Sequence, residues 1–257
     1  MAEIEQEALP APLHVRVRDL PWYTPFAWLR TGLGDMRSTP SGTLFYGAAF
    51  ILMGVTVRQL FGYAPEHTMT LITAFLLAGP FICLGLYEIS RRHETVAQVK
   101  LLPTLTAWRA NPSGIALFSL LLALIVAGWM RVSVVIFALF FTENLPDLAL
   151  ILSPKFMTDE NLTFLLVWLG AGGFFTVLVF AVSVVSIPVM LDRDADTFGA
   201  MFVSIRVCQA NPACMLTWAA LIVLMTTAGF ALWGVGLAFT APLVGHATWH
   251  AYRALVE

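Results

Sequence analysis

Charge is what this sequence has least of. Only 12% of its 257 residues are Asp, Glu, Lys or Arg, about half the share of a soluble domain. The net charge of −2 gives no basic footprint, which excludes a nucleic-acid partner. Cysteine is scarce as well. Cys83, Cys208 and Cys214 are odd in number and lack metal-type spacing, so a structural role is expected for them. No phosphate loop, dinucleotide fingerprint, nucleophile elbow or CxxC is present. Residues 1–21 have no apolar core and carry Glu3, Glu5, Glu7 and Asp19. They read as a flexible N-terminal tail, and the first transmembrane helix is expected to direct insertion itself.

Apolar residues are abundant. Hydrophobic residues make up 59% of the chain, with 19 Phe and eight Trp, and the mean hydropathy is +0.81. Six runs approach the ~20 residues that a helix needs to cross a bilayer: about 42–61, 68–89, 113–135, 162–188, 213–233 and 235–254. Only Trp233-Gly234-Val235-Gly236 separates the last two, which predicts a tight hairpin.

The runs fall into three similar pairs. Their starts read Arg37-Ser38-Thr39-Pro40, Arg109-Ala110-Asn111-Pro112 and Gln209-Ala210-Asn211-Pro212. Asn suits an N-cap and Pro the first helical position, where no N–H is needed. The second helices carry Pro80, Pro188 and Pro242. An amphipathic segment precedes each start, at about 24–37, 96–109 and 197–209. In the first, Phe26, Leu29, Leu33 and Met36 share one face, and Trp22, Tyr23 and Trp28 read as headgroup-level anchors. The fold expected is all-α: a polytopic membrane helical bundle of six transmembrane helices in three repeated pairs, each preceded by an interfacial amphipathic segment. Residues 22–257 then form a single transmembrane domain, with repeat units at about 22–91, 96–193 and 197–257.

Lys and Arg set the expected orientation. With both termini cytoplasmic, Arg16, Arg18, Arg30, Arg37, Arg91, Arg92, Lys100, Arg109, Arg193, Arg206 and Arg253 are inside, against Arg58 and Lys155 outside. Arg131 lies near the outer interface, within snorkelling reach. The middle repeat has an insertion, about 132–161, that predicts a helix extension followed by an acidic outer loop suited to a partner surface. Gly170–Gly173 sit inside the fourth span and are expected to permit close helix packing.

Chemistry can gather where the second helices end. Counted from their prolines, Glu88, Asp196 and His250 share one offset, Asp192 and His246 another, and Arg91 and Arg253 a third. Residues four apart share a helix face, so these seven form a candidate polar cluster. His246 and His250 are spaced to share a metal ion, and a haem would need a ligand from another helix. The Glu of H-E-x-x-H is absent, so protease chemistry is not indicated. Asp192–Asp196 lacks the Gly and Glu of a calcium loop. His14 and His93 are expected to be exposed.

The start motif Arg109-Ala110-Asn111-Pro112 and the ending Ala241-Pro242-Leu243-Val244-Gly245-His246-Ala247-Thr248-Trp249-His250-Ala251-Tyr252-Arg253 resemble bacterial predicted integral membrane proteins of the DUF type, whose function is unassigned. The likeness is expected to span nearly all the chain after residue 20. Some members are loosely labelled as related to cytochrome c oxidase subunit I, whose catalytic form needs a larger bundle and more intramembrane histidines. The resemblance implies location and topology: a multi-pass protein of the bacterial inner membrane. Three functions are compatible with these features. One is a non-enzymatic accessory or scaffold subunit of a membrane complex, with the lipid bilayer and other membrane-protein subunits as partners. The others are a small-solute or proton-coupled transporter and a haem- or metal-handling protein using His246 and His250.

Overall fold

The computed structural model describes residues 15–63, 82–96, 98–141, 159–193 and 195–257. In chain order the helices are α1 (Thr24–Ser38), α2 (Pro40–Tyr63), α3 (82–93), α4 (Leu101–Thr104), a 3-10 turn (Ala107–Ala110), α5 (Pro112–Phe140), α6 (Asp159–Ser183), α7 (Ser186–Arg193), α8 (Thr197–Ala210), α9 (Pro212–Ala231) and α10 (Leu237–Leu255). Among the described residues no strand forms, and one isolated bridge joins Val17 to Val256. Among the described residues, three helical stretches are long and apolar enough to cross a membrane: Pro112–Phe140, Asn161–Arg193 and Pro212–Ala231. The shorter Pro40–Thr56 is apolar too. The second expected span, 68–89, lies mostly outside the described residues, as does the loop of the insertion. The helix extension of that insertion is present, because α5 runs to Phe140.

Contacts divide the chain into two compact units. One holds the chain up to Ser119 together with Ala181–Glu257, and the other is Leu120–Phe180. The second is a self-contained aromatic zipper. Phe164 packs on Phe137 and Phe141, with ring centroids 4.9 Å away in each case. Trp168 donates its indole N–H to Ser133 Oγ at 2.8 Å. Within the run Gly170–Gly173, Gly172 lies against the side chain of Trp129, and Gly170 and Gly173 face open space. Close packing therefore needs one glycine and not the whole run.

Three helix starts tie the first unit together. Thr39, Asn111 and Asn211 each precede a helix-starting proline, and each reaches toward a segment that leads into an amphipathic stretch. Thr39 Oγ1 lies 2.7 Å from His93 Nε2. Asn111 Nδ2 donates to the Ala195 carbonyl at 2.9 Å, and Asn211 Nδ2 donates to the Arg18 carbonyl at 2.9 Å. Asn111 also caps α5 as expected, its Oδ1 accepting from Gly114 N–H at 3.0 Å. Asn211 makes no such cap; its Oδ1 accepts instead from Leu20 N–H at 2.7 Å. Residues 15–20, expected within a flexible tail, are thus held. Glu257 N–H donates to the Arg16 carbonyl, and Arg18 pairs with the Glu257 carboxylate.

Small residues seat the amphipathic segments. Gly32, Thr104 and Ser204 each stand eight residues before a start proline, and each is buried. Gly32 lies against the backbone of His246 and Ala247. Thr104 hydroxyl is 2.9 Å from that of Tyr46. Ser204 Oγ accepts from Val185 N–H at 3.4 Å. The buried face of α1 is Pro25, Trp28, Gly32 and Met36. Trp28, expected at headgroup level, is 3% exposed and meets Trp218 edge to face at 5.7 Å. Trp22, Tyr23 and Phe26 stay exposed. The apolar stripe read from periodicity is therefore only partly the packing face, because close approach is set by the missing Cβ of Gly32.

Proline and glycine place the breaks. A turn at residues 184–185 separates α6 from α7, and the ring of Pro188 collides with a continuous helix at the carbonyl four residues back, that of Val184. Pro242 leaves the Ala238 carbonyl without its usual helical donor, and Gly47 of α2 packs on that carbonyl. The predicted hairpin between α9 and α10 turns through Trp233 (φ 60°) and Gly234 (φ 79°).

Candidate functional site

Among the described residues of the first unit, titratable side chains near α3 and α10 form three hydrogen-bonded networks. The first joins α1, α3 and α10. Asp35 Oδ2 accepts from Ser90 Oγ at 2.6 Å and from His250 Nε2 at 2.8 Å. Ser90 Oγ also lies 2.8 Å from His246 Nδ1. Ser90 has one proton, and it goes to the carboxylate. His246 must then carry its proton on Nδ1 to donate to Ser90. Its Nε2 is left as a bare lone pair, fully buried and without a hydrogen-bond partner. Burial raises the Asp35 pKa, but the hydrogen bonds from His250 and Ser90, then the charges of His250 and His246, outweigh it and hold the carboxyl below its ordinary range.

The second network joins the turn after α3 to α7 and α10. Glu94 Oε1 accepts from Trp249 Nε1 at 2.9 Å and pairs with Arg253 Nε at 3.1 Å. Arg253 Nη1 reaches Asp192 Oδ2 at 3.4 Å. Tyr252 donates its hydroxyl to the same oxygen at 2.6 Å and accepts from Arg193 Nε at 2.9 Å. The third network is local to α3. Glu88, with 3% of its side chain exposed, takes Arg91 Nε at 2.7 Å and Arg92 Nε at 2.6 Å. Spacing of three and four residues puts both arginines on its face.

The seven residues singled out from the sequence are thus distributed. His246 and His250 share one network, Asp192 and Arg253 another, and Glu88 and Arg91 the third. Asp196 belongs to none of them; it caps α8, accepting from Gly199 N–H at 3.2 Å. His93 is half-buried and bonded rather than exposed. Sequence reasoning missed Asp35, Ser90, Glu94 and Tyr252. Asp35 had one local signal: it stands three residues after Gly32, on the seated side of α1. Among the described residues, no group of three or more His, Cys, Asp or Glu side chains is arranged to hold a metal ion.

Helices long and apolar enough to cross a bilayer define an integral membrane protein. Residues 68–192 match the model of a family described as Predicted integral membrane protein (DUF2189), which is the membrane family of unassigned function that the sequence resembles. The match includes the Arg109–Pro112 start and stops short of the Ala241–Arg253 ending, so it spans less of the chain than expected. No curated protein and no solved structure matches the chain.

Proposed function

We propose that this chain is a non-enzymatic protein of the bacterial inner membrane, an accessory or scaffold subunit of a membrane complex. In this reading six transmembrane helices form three repeated pairs, and both termini are cytoplasmic. The observation that carries it is the mutual closure of the polar networks. Asp35, Glu88, Glu94 and Asp192 each end on a cation or donor of this same chain. Such closure suits a clasp that locks helices together better than a site that exchanges a substrate.

Two further features support the reading. The contacts of Thr39, Asn111 and Asn211 follow a cyclic order: each start grips the segment leading into the next amphipathic stretch, and the third grips the first. That order is what three repeated units around a common axis produce. In addition, only 11% of the apolar window of Pro112–Phe140 is buried, against 50% for Asn161–Arg193. The former therefore has a face free for lipid or another subunit.

Purification from native membranes under gentle solubilisation tests the proposal. A defined set of co-purifying membrane proteins, retained at constant stoichiometry, is the expected result. Recovery as an isolated monomer counts against it. One observation favours a second reading, haem or metal handling: the bare Nε2 of His246, whose Nδ1 is already tied to the Ser90–Asp35 pair as ligand histidines commonly are. An absorption spectrum and metal analysis of the purified protein decide it.

A further inference from the structure

We propose that the arginine pair on α3 and the groove beside it bind an anionic glycerophospholipid, phosphate at the arginines and acyl chain in the groove. The proposal needs only that the chain sits in a bilayer, so it stands or falls apart from the subunit reading.

The site arises from a break in the repeat. In the first and third units the amphipathic stretch is one continuous helix, α1 with 15 residues and α8 with 14. In the middle unit Pro103 stands within the stretch, and only the four-residue α4 and a four-residue 3-10 turn form. A proline there deprives the helix of a donor and crowds the preceding turn. Two adjoining hollows lie beside the shortened stretch. The first, about 170 Å³, is lined by Glu88, Arg91, Arg92, Thr106, Ala107 and Leu191 among others. The second, about 350 Å³, is apolar and lies between Phe45, Tyr46, Ile82, Leu84, Leu105 and Trp108. Ala107 borders both.

Charge decides the ligand. Two guanidinium groups share one buried carboxylate, so the first hollow keeps an excess positive charge. Each arginine side chain is 39% exposed. Arg91 spends its Nε and one Nη2 hydrogen on Glu88, and Arg92 its Nε. The other N–H groups remain for an anion, and planar guanidinium suits phosphate oxygens. Glu94 and Asp192 also act on Arg91, but both are engaged with Arg253. Arg109 lines neither hollow but lies over the ring of Trp108, a groove residue, at 5.5 Å from its centroid. Basic pockets beside membrane helices bind acidic headgroups. The apolar groove continuing from the cations selects a phosphate that carries an acyl chain over a free one.

The test uses the full chain in neutral detergent, with dioleoyl phosphatidylglycerol, dioleoyl phosphatidylcholine or inorganic phosphate added. Retention is read by native mass spectrometry and stability by melting temperature. Phosphatidylglycerol is expected to be retained and to raise the melting temperature, and the other two are not. Arg92→Gln leaves Glu88 paired with Arg91 and is expected to weaken phosphatidylglycerol binding about fivefold. Ala49→Trp fills the groove from α2 with every charge in place; it is expected to weaken binding as well, and decides the matter alone if Arg92→Gln does not fold. Equal retention of phosphatidylcholine, full competition by inorganic phosphate, or unchanged binding in Ala49→Trp overturns the proposal.

Discussion

The seat of α1 on α10 can be tested by adding one methyl group at two places. A Cβ at Gly32 meets Ala247 N at 2.8 Å and Ala247 Cα at 3.2 Å, both backbone atoms that cannot swing away. A Cβ at Gly34, in the same helix, meets nothing within 4 Å. Gly→Ala in a helix interior gains up to about 1 kcal/mol from backbone entropy. That gain applies to both positions and cancels in the comparison. What remains is overpacking at Gly32, which costs about 1–3 kcal/mol. Gly34→Ala should therefore stabilise and Gly32→Ala should not. At roughly 2–4 °C per kcal/mol for a chain of this size, the two melting temperatures should differ by about 2–12 °C. Thermal unfolding of both variants in one detergent measures this. Asp35 sits one turn on from Gly32, so lifting α1 should also loosen the Asp35–His250 bond and flatten the acid limb of the Gly32 variant's stability. Melting temperatures within about 1 °C of each other would refute the seating of α1 and, with it, the placement of Asp35.

The Asp35 carboxyl is depressed in the folded chain, so its stabilisation is complete above the unfolded carboxylate value near 3.8 and fades as pH falls through the lower folded value. Asp35→Ala should cost about 1–3 kcal/mol at neutral pH by leaving Ser90 and His250 without their acceptor, and should flatten the acid limb of a stability–pH curve; an unchanged limb speaks against the network. Asn111→Ala loses a true cap and should cost about 0.5–2 kcal/mol in a thermal melt. Asn211→Ala should instead release residues 15–20 and be read as faster amide exchange at Leu20, where no change would mean the tail is held by other contacts. For topology, reporters fused after Val256 and near Asp159 should report opposite sides of the membrane; the same side for both rules out the proposed arrangement.

The sequence by itself determined the class of the protein and the punctuation of its helices. Starts at Pro40, Pro112 and Pro212, the turn at Gly234 and the break before Pro188 are local matters of missing donors and permitted backbone angles. Apolar length settles membrane residence in the same local way. Which side chains meet was decided only by tertiary structure. Periodicity placed His246 and His250 on one face of α10 but was silent on what that face would touch. The partner turned out to be Asp35 of α1, a residue that looks like surface charge until Gly32 brings its helix against α10. Asp196 shares its offset with Glu88 and His250, yet α7 ends before it, at Arg193, and it spends its carboxylate on the start of α8. Equal spacing in sequence puts residues on a common face only while the helix is unbroken; pairing across helices depends on how closely the backbones approach, which is a property of the assembled fold.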